Sequence, residues 1–357
     1  MIKRLAAVSL AVLTTVFTLN GVAMADPPLN VYMSATGSDS NDGLTDTTEV
    51  KTLARVQQIL TELQPTGNVE VRIRQGLYVA PQTEWSFYVP GHTISFMPID
   101  YHYGGEDTIA GRPVFRGDAT IFSPWWMYMK LPPGDPGNTT GWRFYYLQVE
   151  RYTTGGLMIN GGYETVDGFR VPKGAGANGN KVYGCLFKLM GSKFSPLGYA
   201  VAGIDGQNTS NNVFRTNYFE NLENLAATAS HLHGVYLAHG SHNNIIQNSR
   251  FVDVSGDPIR VRNASNGNEI LLNRFTRAGK YGYYSEWFCD PTCQASNPGS
   301  PRECASYGNV FHDNTLVSGY NGATIPEFGL TPAGMFNSGG DGCPDLPAPR
   351  VVTYNNA

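Results

Sequence analysis

Charge is what this sequence has least of. Asp, Glu, Lys and Arg make up 15% of its 357 residues, against about 25% in ordinary soluble domains. Coiled coils need more charge than that, and a disordered chain carries fewer aromatics than the 12% found here. A basic excess is also missing, since 25 Lys and Arg stand against 29 Asp and Glu. Without a global positive field the chain has no footprint for nucleic acid, and no nucleic-acid partner is expected. Any anion must be met by local basic residues.

A membrane-spanning run is missing as well. The apolar stretch from Leu5 to Leu19 is shorter than the roughly 20 residues that cross a bilayer, and it ends in Asn20-Gly21. Lys3 and Arg4 precede it and Ala23-Met24-Ala25 follows, the layout of a secretory signal peptide cleaved after Ala25. This predicts a secreted protein, extracellular or periplasmic, formed by residues 26–357 and free of the membrane after cleavage. Cysteine is scarce and confined to that mature part. Of Cys185, Cys289, Cys293, Cys304 and Cys343, the last four can form two disulfides in any of three connectivities in an oxidising compartment. Cys289, Cys293 and Cys304 also admit a zinc site, and Cys185 is left odd.

Helical periodicity is the last absence. From Leu157 onward no stretch sustains an i, i+3, i+7 apolar stripe for the length of a repeat helix. A different repeat takes its place, with Asn at the start and Phe or Leu seven residues later. It runs Asn180 to Phe187, Asn212 to Phe219, Asn244 to Phe251, Asn268 to Phe275 and Asn309 to Leu316, with a weaker copy from Gly162 to Phe169. A second Asn stands two before the final apolar residue at Asn217, Asn273 and Asn314. Such a pattern predicts stacked coils of short parallel strands, each burying alternate apolar residues on the coil below. Asn suits the bends because it tolerates left-handed geometry and its amide can bond the same amide one coil away. One amphipathic helix is expected from Thr52 to Leu63, with Leu53, Val56, Leu60 and Leu63 on its apolar face. Pro65-Thr66-Gly67 stops it. It would cover the open end of the solenoid, whose bare strand edges otherwise invite aggregation.

The opening residues carry a family likeness. Val31-Tyr32-Met33-Ser34-Ala35-Thr36-Gly37-Ser38-Asp39, then Asn41-Asp42-Gly43, Lys51-Thr52-Leu53 and Arg72-Ile73-Arg74-Gln75-Gly76-Leu77-Tyr78 resemble the start of secreted right-handed parallel β-helix proteins of the pectate-lyase-like superfamily. The resemblance implies an all-β fold: one right-handed parallel β-helix domain with an N-terminal cap over about residues 26–80 and a Cys-stapled loop over about 288–305. It also implies a carbohydrate-active enzyme. Members include polysaccharide lyases, epimerases, glycoside hydrolases and non-catalytic surface proteins, so fold alone does not choose among them. Calcium is the cofactor this likeness brings, yet the acidic cluster that binds it in pectate lyases has no evident counterpart here.

The chemistry is expected between His231 and Trp287, where adjacent coils share a spacing of 24. That spacing stacks Val235 over Ile259 and Tyr283 as inward residues. The outward columns then read Tyr236, Arg260 and Tyr284, and beside them Ala238, Arg262 and Glu286. Arg260 and Arg262 would neutralise a uronate carboxylate, whose charge grows as the C5 proton leaves. His233 or Tyr236, the latter with its pKa lowered by an adjacent Arg, would take that proton, and His239 would protonate the leaving oxygen. Tyr284, Glu286, Trp287, Asp257 and Asn263 would bind substrate. In the bland alternative Asp257 and Glu286 merely neutralise the two arginines. Asp257 and Glu286 sit roughly 16 Å apart on this spacing, too far for a glycosidase pair, although Asp205, Glu220 and Glu223 could supply other carboxyls. Trp125 and Trp126 either stack on sugar or fill the core. The expected function is β-elimination of an anionic, uronic-acid-containing polysaccharide by a monomeric lyase. A glycoside hydrolase, a C5-epimerase and a non-catalytic carbohydrate-binding protein are the rivals.

Overall fold

The Asn-started repeats fold into short strands that run parallel, because each coil returns the chain to the same side of the stack. The computed structural model describes residues 27–104, 111–118, 121–329, 342–346 and 351–357. The segment read as a signal peptide, with its cleavage point, lies outside the described residues. Three long parallel sheets result. The first has ten strands, from Leu29–Met33 to Val351–Tyr354. The second has eight, from Leu77–Val79 to Thr315–Leu316, and the third has eight, from Thr83–Trp85 to Phe328–Gly329. The chain visits them in turn: Lys181–Tyr183, Leu186–Met190 and Ala202–Gln207 precede a return to the first sheet at Val213–Arg215. This is a parallel β-helix. Strands of the first two sheets, Leu29–Met33, Val69–Ile73 and Leu77–Val79, lie within the stretch expected to form the cap, and the third sheet starts at Thr83–Trp85.

The interior is a series of one-residue ladders. Phe187, Phe219, Phe251 and Phe275 stack face to face with centroids 5.4, 4.7 and 4.9 Å apart, and all are fully buried. Each such side chain contributes roughly 2–3 kcal/mol of burial. Beside them the amide of Asn212 donates to Asn244 Oδ1 at 2.6 Å, that of Asn244 to Asn268 at 2.9 Å, and that of Asn268 to Asn309 at 3.0 Å. A second ladder runs from the Cys185 N–H through Asn217, Ser249, Asn273 and Asn314 to Asn356. Turning and bonding, both expected of one Asn, fall to neighbouring residues. The left-handed residue is the one before each ladder Asn, namely Gly179, Asn211, Asn243, Gly267 and Gly308, and the ladder Asn itself only bonds.

The helix Leu53–Leu63 starts at Thr52, whose side chain caps the Arg55 N–H. Leu53, Val56, Ile59 and Leu60 are its buried residues, packed towards Leu29–Met33 and Thr83–Trp85, the end strands of two sheets. Leu63 is exposed instead. Among the described residues no helix is long and apolar enough to cross a membrane.

Two register expectations are corrected. Gly162 to Phe169 is not a coil: Tyr163–Val166 and Phe169–Pro172 pair antiparallel as a hairpin standing off the stack. Trp142 occupies the coil position before Asn180, since Arg143 pairs with Lys181. The coil before Tyr284 is one residue longer than 24, so Ile259 lies opposite Tyr284 and Arg260 opposite Ser285.

Candidate active-site groove

That extra residue exchanges the faces of the strand Tyr284–Trp287. Tyr284 and Glu286 point inward, 0% and 1% exposed, where the Tyr284 hydroxyl and the Asn309 amide both donate to Glu286 Oε1. Neither is among the residues that line the groove, and the two arginines take Asp257 and Glu303 as their carboxylate partners. The outward columns of the third sheet are Tyr128, Met158, Asp205, Tyr236, Arg260 and Ser285, and beside them Lys130, Asn160, Gln207, Ala238, Arg262 and Trp287. Of these, Tyr128, Lys130 and Asn160 line a separate pocket, while Met158, Asp205, Gln207, Tyr236, Arg260, Arg262 and Trp287 floor a groove of about 700 Å³. Tyr199, His231 and Tyr281 line it at the strand starts, and Tyr163 and Arg170 of the hairpin line it too. Trp125 lines this groove while Trp126 fills the core.

Both arginines are paired. Arg260 donates to Asp257 Oδ2 at 2.7 Å and to Ser285 Oγ at 3.0 Å. Asp257 is fully buried, and its other oxygen accepts the N–H groups of Lys280, Tyr281 and Gly282. It is a fixture of the wall and not a substrate contact. Arg262 donates to Glu303 Oε2 at 2.7 Å and to the Tyr236 hydroxyl at 3.1 Å, and lies 4.1 Å over the Trp287 ring. Glu303 comes from the Cys loop and also accepts the Cys289 N–H. Nothing in the strand spacing pointed to it, because it arrives from 41 residues downstream. The loop is stapled by disulfides Cys289–Cys293 and Cys304–Cys343, with Cys185 free and buried. Those pairings exclude zinc at Cys289, Cys293 and Cys304.

Hydrogen bonding fixes opposite tautomers on the two histidines. His233 Nδ1 lies 2.6 Å from the Asp257 carbonyl oxygen, which can only accept. Nδ1 therefore carries the proton and Nε2 keeps a free lone pair. His239 Nδ1 lies 3.1 Å from Asn263 Nδ2, which donates, so His239 carries its proton on Nε2. Burial lowers both imidazoles to about 3, aided at His233 by Arg260 and at His239 by Arg262 and Arg170. Both are neutral near pH 7. Asn263 spends both amide hydrogens on the groove wall, one on His239 and one on the Arg170 carbonyl, and its oxygen accepts the Cys304 N–H. It holds the groove wall together and does not face substrate.

Asp205 is the acid that strand reasoning undervalued. It is 2% exposed and sits beside Tyr236 in the register. Burial pushes its carboxyl up to about 7, against the opposing pull of Gln207 and Arg262. Among the described residues that line the groove it is the one carboxyl. Tyr236 moves the other way from expectation: burial raises its phenol and outweighs the lowering by Arg262, so it stays protonated. Glu223 lies elsewhere, paired with Lys193. Among the described residues no group of three or more His, Cys, Asp or Glu side chains could hold a metal ion. The donors present do not fit calcium.

Fold and groove together define a parallel β-helix protein with its polar cleft on one sheet. Among solved structures the chain is similar to a rhamnogalacturonan lyase, at 14% identity over 92% of this chain and 87% of that one, with a TM-score of 0.43. It is also similar to pectate lyase Pel9A, at 10% identity over 92% and 79% with a TM-score of 0.44. A third is the catalytic domain of a GH87 α-1,3-glucanase, at 14% identity over 82% and 46% with a TM-score of 0.41. No protein-family model and no curated protein matches the chain.

Proposed function

We propose that the protein cleaves an acidic polysaccharide by β-elimination. One observation supports this above the rest: a single groove carboxyl with its pKa near 7 lines the same groove as two neutral imidazoles of opposite tautomer. Hydrolysis by the usual route needs two carboxyl groups about 5 to 9.5 Å apart. Asp257 and Glu303, the other acids nearby, are already bound to Arg260 and Arg262.

In the proposed step the C5 proton of a uronate passes to the free lone pair of His233 Nε2. The C5–H electron pair becomes the C4=C5 double bond, the C4–O bond breaks, and the leaving oxygen takes the proton of Asp205. Charge grows meanwhile on the uronate carboxylate, and the remaining N–H groups of Arg260 and Arg262 are placed to bond it. Burial is the main reason His233 is weakly basic, and a carboxylate bound by these arginines offsets the smaller part that comes from the Arg260 charge. The His239 Nε2–H is left to bond a sugar oxygen. No step is routed through a metal.

Incubating residues 26–357 with polygalacturonate, alginate, glucuronan and glycosaminoglycans would test this. Ultraviolet-absorbing unsaturated ends should rise in step with reducing ends on one of them. Reducing ends without absorbance would sink the elimination reading in favour of hydrolysis.

A further inference from the structure

Three cations line the groove, and only two have carboxylate partners. Arg170, on the hairpin strand Phe169–Pro172, pairs with no carboxylate among the described residues, and its Nε is buried without a hydrogen-bond partner. Its position is fixed all the same. The Arg170 N–H donates to the Arg302 carbonyl at 2.9 Å, and its own carbonyl accepts from Asn263 at 3.0 Å. The guanidinium rests 4.8 Å over the Tyr163 ring, which packs at a tilt of 51° against His239, centroids 4.5 Å apart. Gln207 holds the complementary orphan. Its Nε2 is spent on Asp205, at 3.3 and 3.4 Å, while its Oε1 is buried with no partner.

A buried donor or acceptor without a partner is destabilising, and more so when charged. Two such atoms in one groove, one a cationic donor and one a neutral acceptor, describe the ligand that satisfies both. Arg170 asks for an anion with planar oxygens, and Gln207 Oε1 asks for a hydroxyl. We propose that Arg170 and Gln207 form the subsite that selects an acidic sugar: Arg170 bonds a uronate carboxylate and Gln207 accepts a ring hydroxyl. This rests on the polysaccharide reading above and names the residue that makes it charge-selective. Arg260 and Arg262, already neutralised by Asp257 and Glu303, supply bonds but little net charge.

The test is calorimetric binding of hexamers of galacturonate, mannuronate and glucuronate, and of their carboxyl-reduced counterparts, in a D205N background that prevents turnover. At least one charged hexamer should bind, and its reduced counterpart about 30-fold more weakly, the size of one charge-assisted pair. R170Q should abolish that gap by weakening only the charged ligand, and R170K should restore part of it. Q207L should weaken charged and reduced forms alike. Thermal melting of R170Q should match the background, since the latch uses only the Arg170 backbone. Equal loss for both forms in R170Q, no loss in either, or no charged hexamer bound would overturn the proposal. Charge-selective binding by a protein that forms no unsaturated product would refute the elimination reading and leave this subsite standing.

Discussion

At the residue scale, the groove works by keeping protons where water would not. Asp205 retains its proton up to about pH 7 because burial penalises the anion. His233 stays unprotonated down to about 3 for the mirror reason. The proposed acid and base are thus both in working form between those values. The rate should hold level through mildly acidic pH and fall as pH rises through about 7, where Asp205 loses the proton that the leaving oxygen needs. D205N should lower kcat by about 100-fold or more and flatten that alkaline limb, measured as kcat against pH from 4.5 to 9. A limb that persists in D205N would remove Asp205 from the acid role. Arg260, Arg262 and Tyr236 are reachable from the sequence because strand alternation turns them outward, and His233 and His239 because they stand at the two ends of the strand that carries Tyr236. The pKa direction of Tyr236 is not, since the burial that governs it cannot be read from an adjacent Arg. Glu303 and Arg170 escape sequence reasoning because a loop and a hairpin from outside the coil deliver them.

At the scale of elements, the asparagine ladder carries the register that positions these groups. Asn244 is fully buried. Its oxygen accepts from the backbone and amide of Asn212, and its amide donates to Thr209 and Asn268. Asn244→Ala strands donors and acceptors on both neighbouring coils and should cost about 3–5 kcal/mol, at about 1–3 kcal/mol per orphaned group. Urea unfolding measures it, and a loss under about 1 kcal/mol would mean that the coils relax around the gap. These ladders explain why the fold was legible: a one-residue rung repeated on every coil leaves a signature in one sequence. The same signature misled twice. Gly162 to Phe169 mimics a rung but forms a hairpin, and the 24-residue period fails by one residue before Tyr284. Counting cannot see an insertion of one residue, yet in a strand it reverses every side chain, and this is why Tyr284 and Glu286 face the core.

At the scale of the whole molecule, the same burials tie stability to pH. Folding carries His233 and His239 from an ordinary 6.5 to about 3. Between those values the unfolded chain binds protons that the folded one refuses, so each imidazole withdraws stability as pH falls from 6.5. Asp205 acts in the opposite sense. Its folded pKa of about 7 exceeds its ordinary 3.8, so its contribution is complete below 3.8 and is lost as pH rises through 7. Between pH 4 and 6 two imidazoles therefore oppose one carboxyl, and acidification should destabilise the protein. D205N removes the opposition. Its unfolding free energy should fall more steeply than the parent's, by about 1.4 kcal/mol per pH unit, the linkage value of one proton. Comparing the two curves cancels every other titrating group, because both proteins share them. Denaturant titrations at pH 4, 5 and 6 supply the slopes, and parallel curves would show that Asp205 is already ionised in the folded groove. That outcome would strike at the stability argument and the catalytic one together, since both require the same buried proton.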